Sequence, residues 1–142
     1  MTAQTLANAA PLARLLLSAM FIISGVQKIT GYAGTQGYME AMGVAPGLLP
    51  LVIIVELGAG IALLIGWQAR IAAFLLAGFS ILSGLLFHLL PGLGMEDAMA
   101  AQAQIISFMK NVTIAGGLLM VVAFGPGKLS ATKSDGALVP AE

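Results

Sequence analysis

Long apolar runs separated by short gaps rich in Gly and Pro dominate this chain. Four of the runs are long enough to cross about 30 Å of hydrocarbon at roughly 1.5 Å per helical residue. They predict membrane-spanning helices at about residues 11–29, 47–66, 70–90 and 104–124. Because the gap after the second run is so short, spans 2 and 3 are expected to be antiparallel neighbours. The pattern predicts an all-α membrane protein, a bundle of four transmembrane helices.

The two connections on the side opposite the termini also carry helical signals. Thr35 is placed to cap a short interfacial helix over residues 36–42, between spans 1 and 2, which Gly43 would end. Glu96 and Asp97 favour a helix N-terminus that continues into span 4. Neither connection is therefore predicted to be unstructured.

The basic residues predict how the bundle is oriented. Lys and Arg near the ends of spans collect on the cytoplasmic side of membrane proteins. Both termini share one side with Arg14, Arg70, Lys128 and Lys133, so both termini are predicted to be cytoplasmic. Arg14 and Arg70 are expected to set this topology and to reach the lipid headgroups with their long side chains.

Composition agrees with the membrane class. Of the 142 residues, 59% are hydrophobic and 8% are charged, against about 25% charged in soluble domains. The formal net charge is zero and the basic residues are scattered, which excludes nucleic-acid binding. The chain has no Cys, which excludes disulfides and thiolate-held iron–sulfur clusters on this chain alone. Residues 1–130 are predicted to form one transmembrane domain, and the polar tail over residues 131–142 is expected to be disordered.

Glu56 interrupts the apolar second span. An unpaired carboxylate at mid-bilayer costs about 3 kcal/mol, so a partner is expected. At roughly 1.5 Å per residue, Glu56 lies about 13 Å below the start of span 2 and Lys110 about 9 Å below the start of span 4. These similar depths predict a Glu56–Lys110 ion pair with Asn111 beside it. The sequence leaves open whether this pair is functional or purely structural.

Helical spacing gathers small and polar residues on one face of each span. These faces are Arg14, Ser18, Phe21, Gly25 and Lys28 on span 1; Val52, Glu56, Ala59, Gly60 and Leu63 on span 2; Arg70, Ala73, Ala77, Ser80, Gly84 and His88 on span 3; and Ile106, Lys110, Thr113, Gly117 and Met120 on span 4. Their small residues are expected mainly to let helices pack closely. Lys28 and His88 lie near the outer ends of their spans, where both can face one cavity. His88 is otherwise interpreted as an interfacial histidine bonded to water.

Several short motifs resemble one known family. In chain order they are residues 12–17 (LARLLL), 21–28 (FIISGVQK), 56–60 (ELGAG), 87–88 (FH), 108–111 (FMKN) and 124–130 (FGPGKLS). In order and spacing they are similar to the DoxX family of small four-helix bacterial membrane proteins. The resemblance implies a multi-pass protein of the bacterial inner membrane. The family's recurrent polar residues correspond here to Arg14, Lys28, Glu56, Arg70, His88, Lys110 and Asn111.

The resemblance also implies a link to quinones, since the family takes its name from a subunit of an archaeal quinol oxidase. It implies a membrane subunit that binds a quinone or a similar small molecule in an outer-half polar pocket, with electrons delivered by a redox partner. Proton exchange would fall to Glu56, Lys110 and His88. Ligand binding would fall to Phe21, Gly25, Lys28, Gly60, Phe108 and Asn111. Neither a metal site nor a haem is indicated, and catalysis by this chain alone is not expected.

Two other functions stay open. A non-enzymatic scaffold or assembly subunit would use the polar residues only to fix helix register. A small lipid or solute carrier would need an inverted repeat, and two spans per half cannot invert without a dimer. A homo-oligomer is also considered, with Ser80-x-x-x-Gly84 and Thr113-x-x-x-Gly117 as the strongest contact motifs.

Overall fold

Four apolar helices form the bundle, as the apolar runs predict. The computed structural model describes residues 3–131, with side chains from residue 9 onward. Its membrane-length helices are span 1 (Ala9–Thr30), span 2 (Pro46–Ile65), span 3 (Ala69–Leu93) and span 4 (Ala98–Phe124). Span 1 continues a helix that begins at Ala3. The predicted four-helix membrane fold is confirmed, whereas the predicted disorder of the tail concerns residues that, beyond 131, lie outside the described part of the chain.

Apolar side chains, most of them small or aliphatic, fill the interior. Among the buried residues are Phe21, Leu63, Ala73, Leu76, Ala115 and Leu118. Small residues let neighbouring backbones approach, which increases dispersion contacts where lipid offers no hydrophobic contrast. The outer surface is apolar as well, since Leu16, Ile54 and Phe74 are mostly exposed. The bundle is therefore suited to contact with bilayer lipid on its outside and close helix packing on its inside.

Spans 2 and 3 each contain one wider, π-helical turn, at Val55–Ala59 and Leu85–Leu89. A π turn holds one more residue than an α turn, so it shifts the faces of the helix on either side of it. Glu56 lies in the first of these turns and His88 in the second. Such turns occur frequently at functional sites. The two ionisable residues of spans 2 and 3 thus both lie where the helix departs from regular geometry.

The helix between spans 1 and 2 is longer than predicted and runs over Tyr32–Ala41. Thr35 does not cap it, because the helix begins earlier and the Thr35 hydroxyl donates a hydrogen bond to the Gly31 carbonyl within the helix (3.0 Å). Gly43 has a positive φ of 73° and follows the end of the helix, as expected. Met39 is buried. This interfacial helix covers the outer half of the bundle, the half farther from the termini.

Before span 4, the predicted helix start is confirmed. The helix begins at Ala98, and the Asp97 carboxylate accepts a hydrogen bond from the Ala100 N–H (2.7 Å). A carboxylate at this position satisfies one of the four free N–H groups of the first turn and complements the helix dipole. The third connection is therefore a short non-helical segment, residues 94–97, whose last residue caps span 4.

Arg14 and Arg70 bind the end of span 4 and the segment that follows it. Arg14 is only 2% exposed, and its Nη2 donates to the carbonyls of Lys128 (3.2 Å) and Leu129 (2.7 Å). Arg70 Nη1 donates to the carbonyls of Val122 (2.5 Å) and Ala123 (2.9 Å). The prediction that Arg14 reaches the headgroups is wrong. A buried guanidinium needs acceptors. The carbonyls after span 4 accept from Arg14 Nη2, and the free carbonyls in the last turn of span 4 accept from Arg70.

Residues 125–131, here called the C-terminal segment, lie across the end of the bundle that carries both termini. The Ala131 N–H donates to the Ile65 carbonyl (2.9 Å). Gly66 has a φ of 74° and lies against Arg14 and Ser130 with no room for a side chain. Both ends of the described chain therefore share one side of the bundle. Which side faces the cytoplasm stays a prediction from the basic residues.

Candidate functional site

A cavity of about 270 Å³ opens in the outer half of the bundle, beneath the interfacial helix. Each of the four spans and the interfacial helix contributes to its wall. The lining residues are Met20, Phe21, Ser24, Lys28, Thr35, Tyr38, Met39, Val52, Glu56, Phe79, Ser83, Phe87, His88 and Asn111. The wall therefore combines aromatic rings with several polar and ionisable groups.

Glu56 forms an ion pair with Lys28 at one side of this cavity. The Glu56 side chain is 4% exposed and that of Lys28 is 24% exposed. Lys28 Nζ lies 3.1 Å from Glu56 Oε1 and 3.0 Å from Oε2. Ser24 completes the network, because its hydroxyl accepts from Lys28 Nζ (2.6 Å) and donates to Glu56 Oε1 (3.1 Å). Charge-assisted hydrogen bonds of this kind are stronger than neutral ones and offset part of the cost of burying both ions.

The predicted Glu56–Lys110 pair is therefore wrong. Lys110 is exposed on the outside of span 4, in a groove with Ile106, Met109, Thr113 and Ile114. Similar depth in the membrane does not determine whether two side chains meet, because the rotation of span 4 about its axis decides where Lys110 points. Successive helical residues differ by about 100° in direction, so when Asn111 lines the cavity its neighbour Lys110 is turned away.

His88 is held by a partner that the sequence reasoning missed. Its Nδ1 lies 2.7 Å from Gln104 Oε1. Since an amide oxygen only accepts, this contact places a proton on Nδ1 and leaves Nε2 of a neutral ring as an acceptor. Gln104 precedes Asn111 by seven residues, two helical turns, so a search along the Asn111 face would have found it. Ser24 was equally visible, four residues before Lys28.

Aromatic side chains form much of the remaining wall. Phe21, Phe79 and Phe87 line the cavity, and the Tyr38 ring of the interfacial helix stacks on Phe87 with 5.5 Å between ring centroids. Stacked rings at this distance stabilise their pairing by about 1 kcal/mol. Tyr38 and Met39 therefore fix the interfacial helix over the cavity and limit its opening.

Among the residues predicted for ligand binding, Phe21, Lys28 and Asn111 line the cavity. The others serve helix packing. Gly25 lies against Leu57, Gly60 lies against Phe21 and Ile22, and Phe108 lies against Gly84. Because these contacts leave little or no room for a Cβ at the glycines, their role is to let the spans approach.

The cavity offers hydrogen-bond donors and acceptors beside flat apolar surface. Within the described residues, no group of three or more His, Asp or Glu side chains lies close enough together to hold a metal ion. The carboxylate nearest the cavity already faces an ammonium group. Lys28 and the Asn111 amide are donors for an acceptor oxygen, while Glu56 and His88 Nε2 are acceptors for a hydroxyl. The aromatic rings supply flat apolar surface beside these groups.

Comparison with known proteins gives three matches. The sequence model of the DoxX family matches residues 9–89, more than half of the chain, including Lys28, Glu56 and His88. Inner membrane protein YqjF of Escherichia coli strain K12 is 48% identical over 118 residues, which cover 83% of this chain and 85% of YqjF. Inner membrane protein YphA of the same strain is 31% identical over 121 residues, 84% of each chain. No solved structure matches.

Proposed function

Since this chain belongs to the DoxX family and encloses a polar cavity within a membrane bundle, we propose that the cavity binds a quinone headgroup or a similar small ring compound. The chain is a multi-pass protein of the bacterial inner membrane. One observation carries the proposal: the Lys28–Glu56 ion pair, His88 and four aromatic rings line the same cavity beneath the interfacial helix. In this role the chain is the quinone-binding membrane subunit of a redox complex, and a partner protein supplies the electrons.

The size of the cavity suits a single substituted ring. At about 270 Å³ it exceeds an apolar cavity of roughly 150 Å³ that holds benzene, and it lies just below the range of roughly 300–1,000 Å³ for drug-sized ligands. Phe21, Phe79 and Phe87 offer apolar surface to the faces of a ring. The polar groups lie close to these rings, so ring oxygens and apolar ring faces are accommodated together.

The polar residues have distinct roles in this proposal. Lys28 Nζ and the Asn111 amide donate hydrogen bonds to a ring carbonyl. Asn111 Nδ2 already donates to the Ser107 carbonyl (3.0 Å), which orients the amide and leaves its second N–H free to donate. A bound quinone would take up two electrons from the partner protein and two protons. Glu56 and His88 Nε2 would each first accept a proton entering from solvent and then pass it to a ring oxygen.

Lys110, which the sequence reasoning included in proton exchange, has no part in this site because it lies outside the cavity. The place beside Glu56 that was expected for Lys110 is taken by Lys28, whose ammonium group contacts the carboxylate directly. The Ser24 hydroxyl bonds both members of this pair, so its role in the proposal is to position them. The proposal therefore rests on residues from spans 1, 2, 3 and 4 that meet at one place.

The decisive experiment is mass spectrometry of small molecules extracted from protein purified gently with its native lipids. Wild type is compared with Glu56→Gln and with the matched control Glu96→Gln, an exposed carboxylate in the third connection. We expect quinone enrichment in the wild type and in Glu96→Gln, and at least a tenfold lower quinone-to-protein ratio in Glu56→Gln. Quinone at the bulk-membrane ratio in all three proteins would contradict the proposal.

A scaffold role is the second candidate, and the Ser24–Lys28–Glu56 network favours it because the network ties span 1 to span 2. In a scaffold the ion pair fixes helix register and binds nothing. It predicts that replacing both charges, in Lys28→Met with Glu56→Gln, leaves assembly and retained lipids unchanged. The same extraction experiment therefore separates the two functions.

A further inference from the structure

A charged side chain lies on the lipid-facing side of span 4, near the middle of the helix. Lys110 is exposed, and at roughly 1.5 Å per residue it lies about 18 Å from Ala98 and about 21 Å from Phe124. Charged residues at such depths are rare and normally face the interior of a bundle or a partner. A lysine on a lipid-facing surface therefore calls for a group that covers it.

The surroundings of Lys110 have the form of a helix-docking surface. Lys110 lies in a shallow groove with Ile106, Met109 and Thr113. One turn beyond Thr113, Gly116 is exposed and has open space where a side chain would lie. These five residues, here called the Lys110 face, combine small, apolar and cationic side chains. Small residues let a second helix come close enough for polar contacts within the membrane.

The acidic residues that the structure describes do not supply the counter-charge. Glu56 is buried and paired with Lys28, while Glu40, Glu96 and Asp97 belong to the outer connections. A second copy related by a two-fold axis along the membrane normal would meet the Lys110 face at equal depth. Two such faces would then bring lysine toward lysine, which is unfavourable in a low dielectric.

We propose that the Lys110 face docks a transmembrane helix of a different protein, one that carries an Asp or Glu near mid-bilayer. The acid on the partner would form the ion pair that Lys110 lacks on its own surface. The helix would pack over Thr113 and Gly116, which have the smallest side chains of this face. This interaction is separate from the cavity and goes beyond ligand binding.

The Lys110 side chain cannot escape the hydrocarbon by extending to the headgroups, so the need for a partner stays. The hydrocarbon core extends about 15 Å on either side of its centre, farther than a lysine stem reaches from the middle of a helix. The second motif considered for helix contacts, Ser80-x-x-x-Gly84, is already used within the bundle, since Ser80 is buried and Gly84 contacts Asn111. In the motif Thr113-x-x-x-Gly117, Gly117 lies against Leu17 within the bundle, whereas Thr113 is exposed and available for an external contact.

The test is site-specific photo-crosslinking of the full chain in its native membranes. A photoreactive residue replaces Met109 on the Lys110 face, and a matched control replaces Ile54, which is exposed on span 2. We expect an adduct with another protein at position 109 and none at position 54. Mass spectrometry is expected to place the adduct in an apolar span that contains Asp or Glu.

Charge variants then decide whether Lys110 makes the contact. At equal amounts of chain in the membrane, Lys110→Arg is expected to keep the adduct and Lys110→Met to reduce it at least fivefold. Lys110→Glu should abolish it, and replacing the partner's acid by Lys should restore it. The proposal fails if the adduct is a second copy of this chain, if only lipid is labelled, if the partner span has no acid, or if Lys110→Met leaves the yield unchanged.

Discussion

Glu56 shows how a buried charge determines its surroundings. Its carboxylate oxygens contact Lys28 Nζ at 3.0 and 3.1 Å, and Ser24 bridges the two groups. Burial makes each ion dependent on the other, because removing one partner leaves an uncompensated charge in a low dielectric. Lys28 also lies one turn after Ser24 on the same helix, so span 1 presents both partners together to span 2.

Breaking this pair on one side is expected to be worse than removing it entirely. Lys28→Met should lower the free energy of unfolding by about 3 kcal/mol, at the low end for buried pairs because Lys28 is a quarter exposed. The double variant Lys28→Met with Glu56→Gln should regain at least half of that loss. Thermal unfolding in detergent, followed by circular dichroism, measures both. Equal melting temperatures for the single and double variants would show that the pair is not coupled.

Gly66 is a second residue whose surroundings permit little change. It has a φ of 74°, and a methyl group there would collide with Arg14 and Ser130. Gly66→Ala should cost about 2 kcal/mol or more, from backbone strain and overpacking together. Gly78→Ala is the matched control, since Gly78 lies within a helix and faces open space. The control should be neutral or stabilising by up to about 1 kcal/mol in the same thermal assay. A tolerated Gly66→Ala would mean that the C-terminal segment moves aside easily.

At the scale of elements, the π turns are what bring the ionisable residues to the cavity. Glu56 and His88 come from different spans, yet each lies in the five-residue π turn of its helix. An extra residue in a turn rotates one half of the helix relative to the other, so each half can keep its own packing face. The outer halves of spans 2 and 3 can thereby face the cavity while their inner halves remain in the core.

Deleting Gly58 tests this role of the π turn in span 2. Gly58 is exposed and contacts nothing within reach of a Cβ, so its removal takes away no packing. The shortened turn should become α-helical, the bundle should still fold, and Glu56 should lose its alignment with Lys28. We expect retained expression and helicity but a quinone-to-protein ratio at least tenfold lower. Unchanged retention of quinone would show that the π turn does not position the site.

How much could be predicted from the sequence depends on what the membrane constrains. The four spans follow from apolar length, because the bilayer requires it, and the Asp97 helix start follows from local hydrogen bonding. The rotation of each span is not encoded so directly, since both its lipid-facing and its core-facing sides are apolar. On span 4 the predicted face around Lys110 points outward, and the buried side is formed by Ala115, Leu118 and Val121.

For the site, the sequence predicts which residues lie near each other in depth but not which of them pair. Lys28, Glu56 and His88 were grouped at the outer half by their positions along the spans, and the structure places all three on the cavity wall. The pairing of Glu56 with Lys28 instead of Lys110 depends on helix rotation and on the two π turns, which leave no mark in a regular 3.6-residue pattern.

At the scale of the whole molecule, charged side chains join neighbouring segments at both ends of the bundle. The Lys28–Glu56 pair joins spans 1 and 2 in the outer half, and Arg14 holds the C-terminal segment at the other end. Arg70 binds the last carbonyls of span 4. Between these ends, contacts are made almost entirely by apolar and small residues. The register of the spans is therefore fixed mainly at the two ends.

Removing the C-terminal segment should destabilise the whole bundle. A chain that ends at Gly125 lacks the carbonyls that Arg14 binds and should lose about 3 kcal/mol or more of stability, because a buried guanidinium loses its acceptors. Ending the chain at Ala131 is the control, since it keeps every described contact. Adding Arg14→Met to the shorter chain should restore part of the loss in thermal unfolding. If the two truncations melt alike, Arg14 does not depend on this segment.

The bond between Arg14 and Leu129 has a consequence for biosynthesis, since 115 positions separate the two residues along the chain. At about 5–20 residues per second, a ribosome needs roughly 6–23 s to make that stretch. The acceptors that Arg14 has in the folded bundle are therefore absent when span 1 is made. Closure of this end of the bundle therefore comes only after span 4 and Leu129 have been translated.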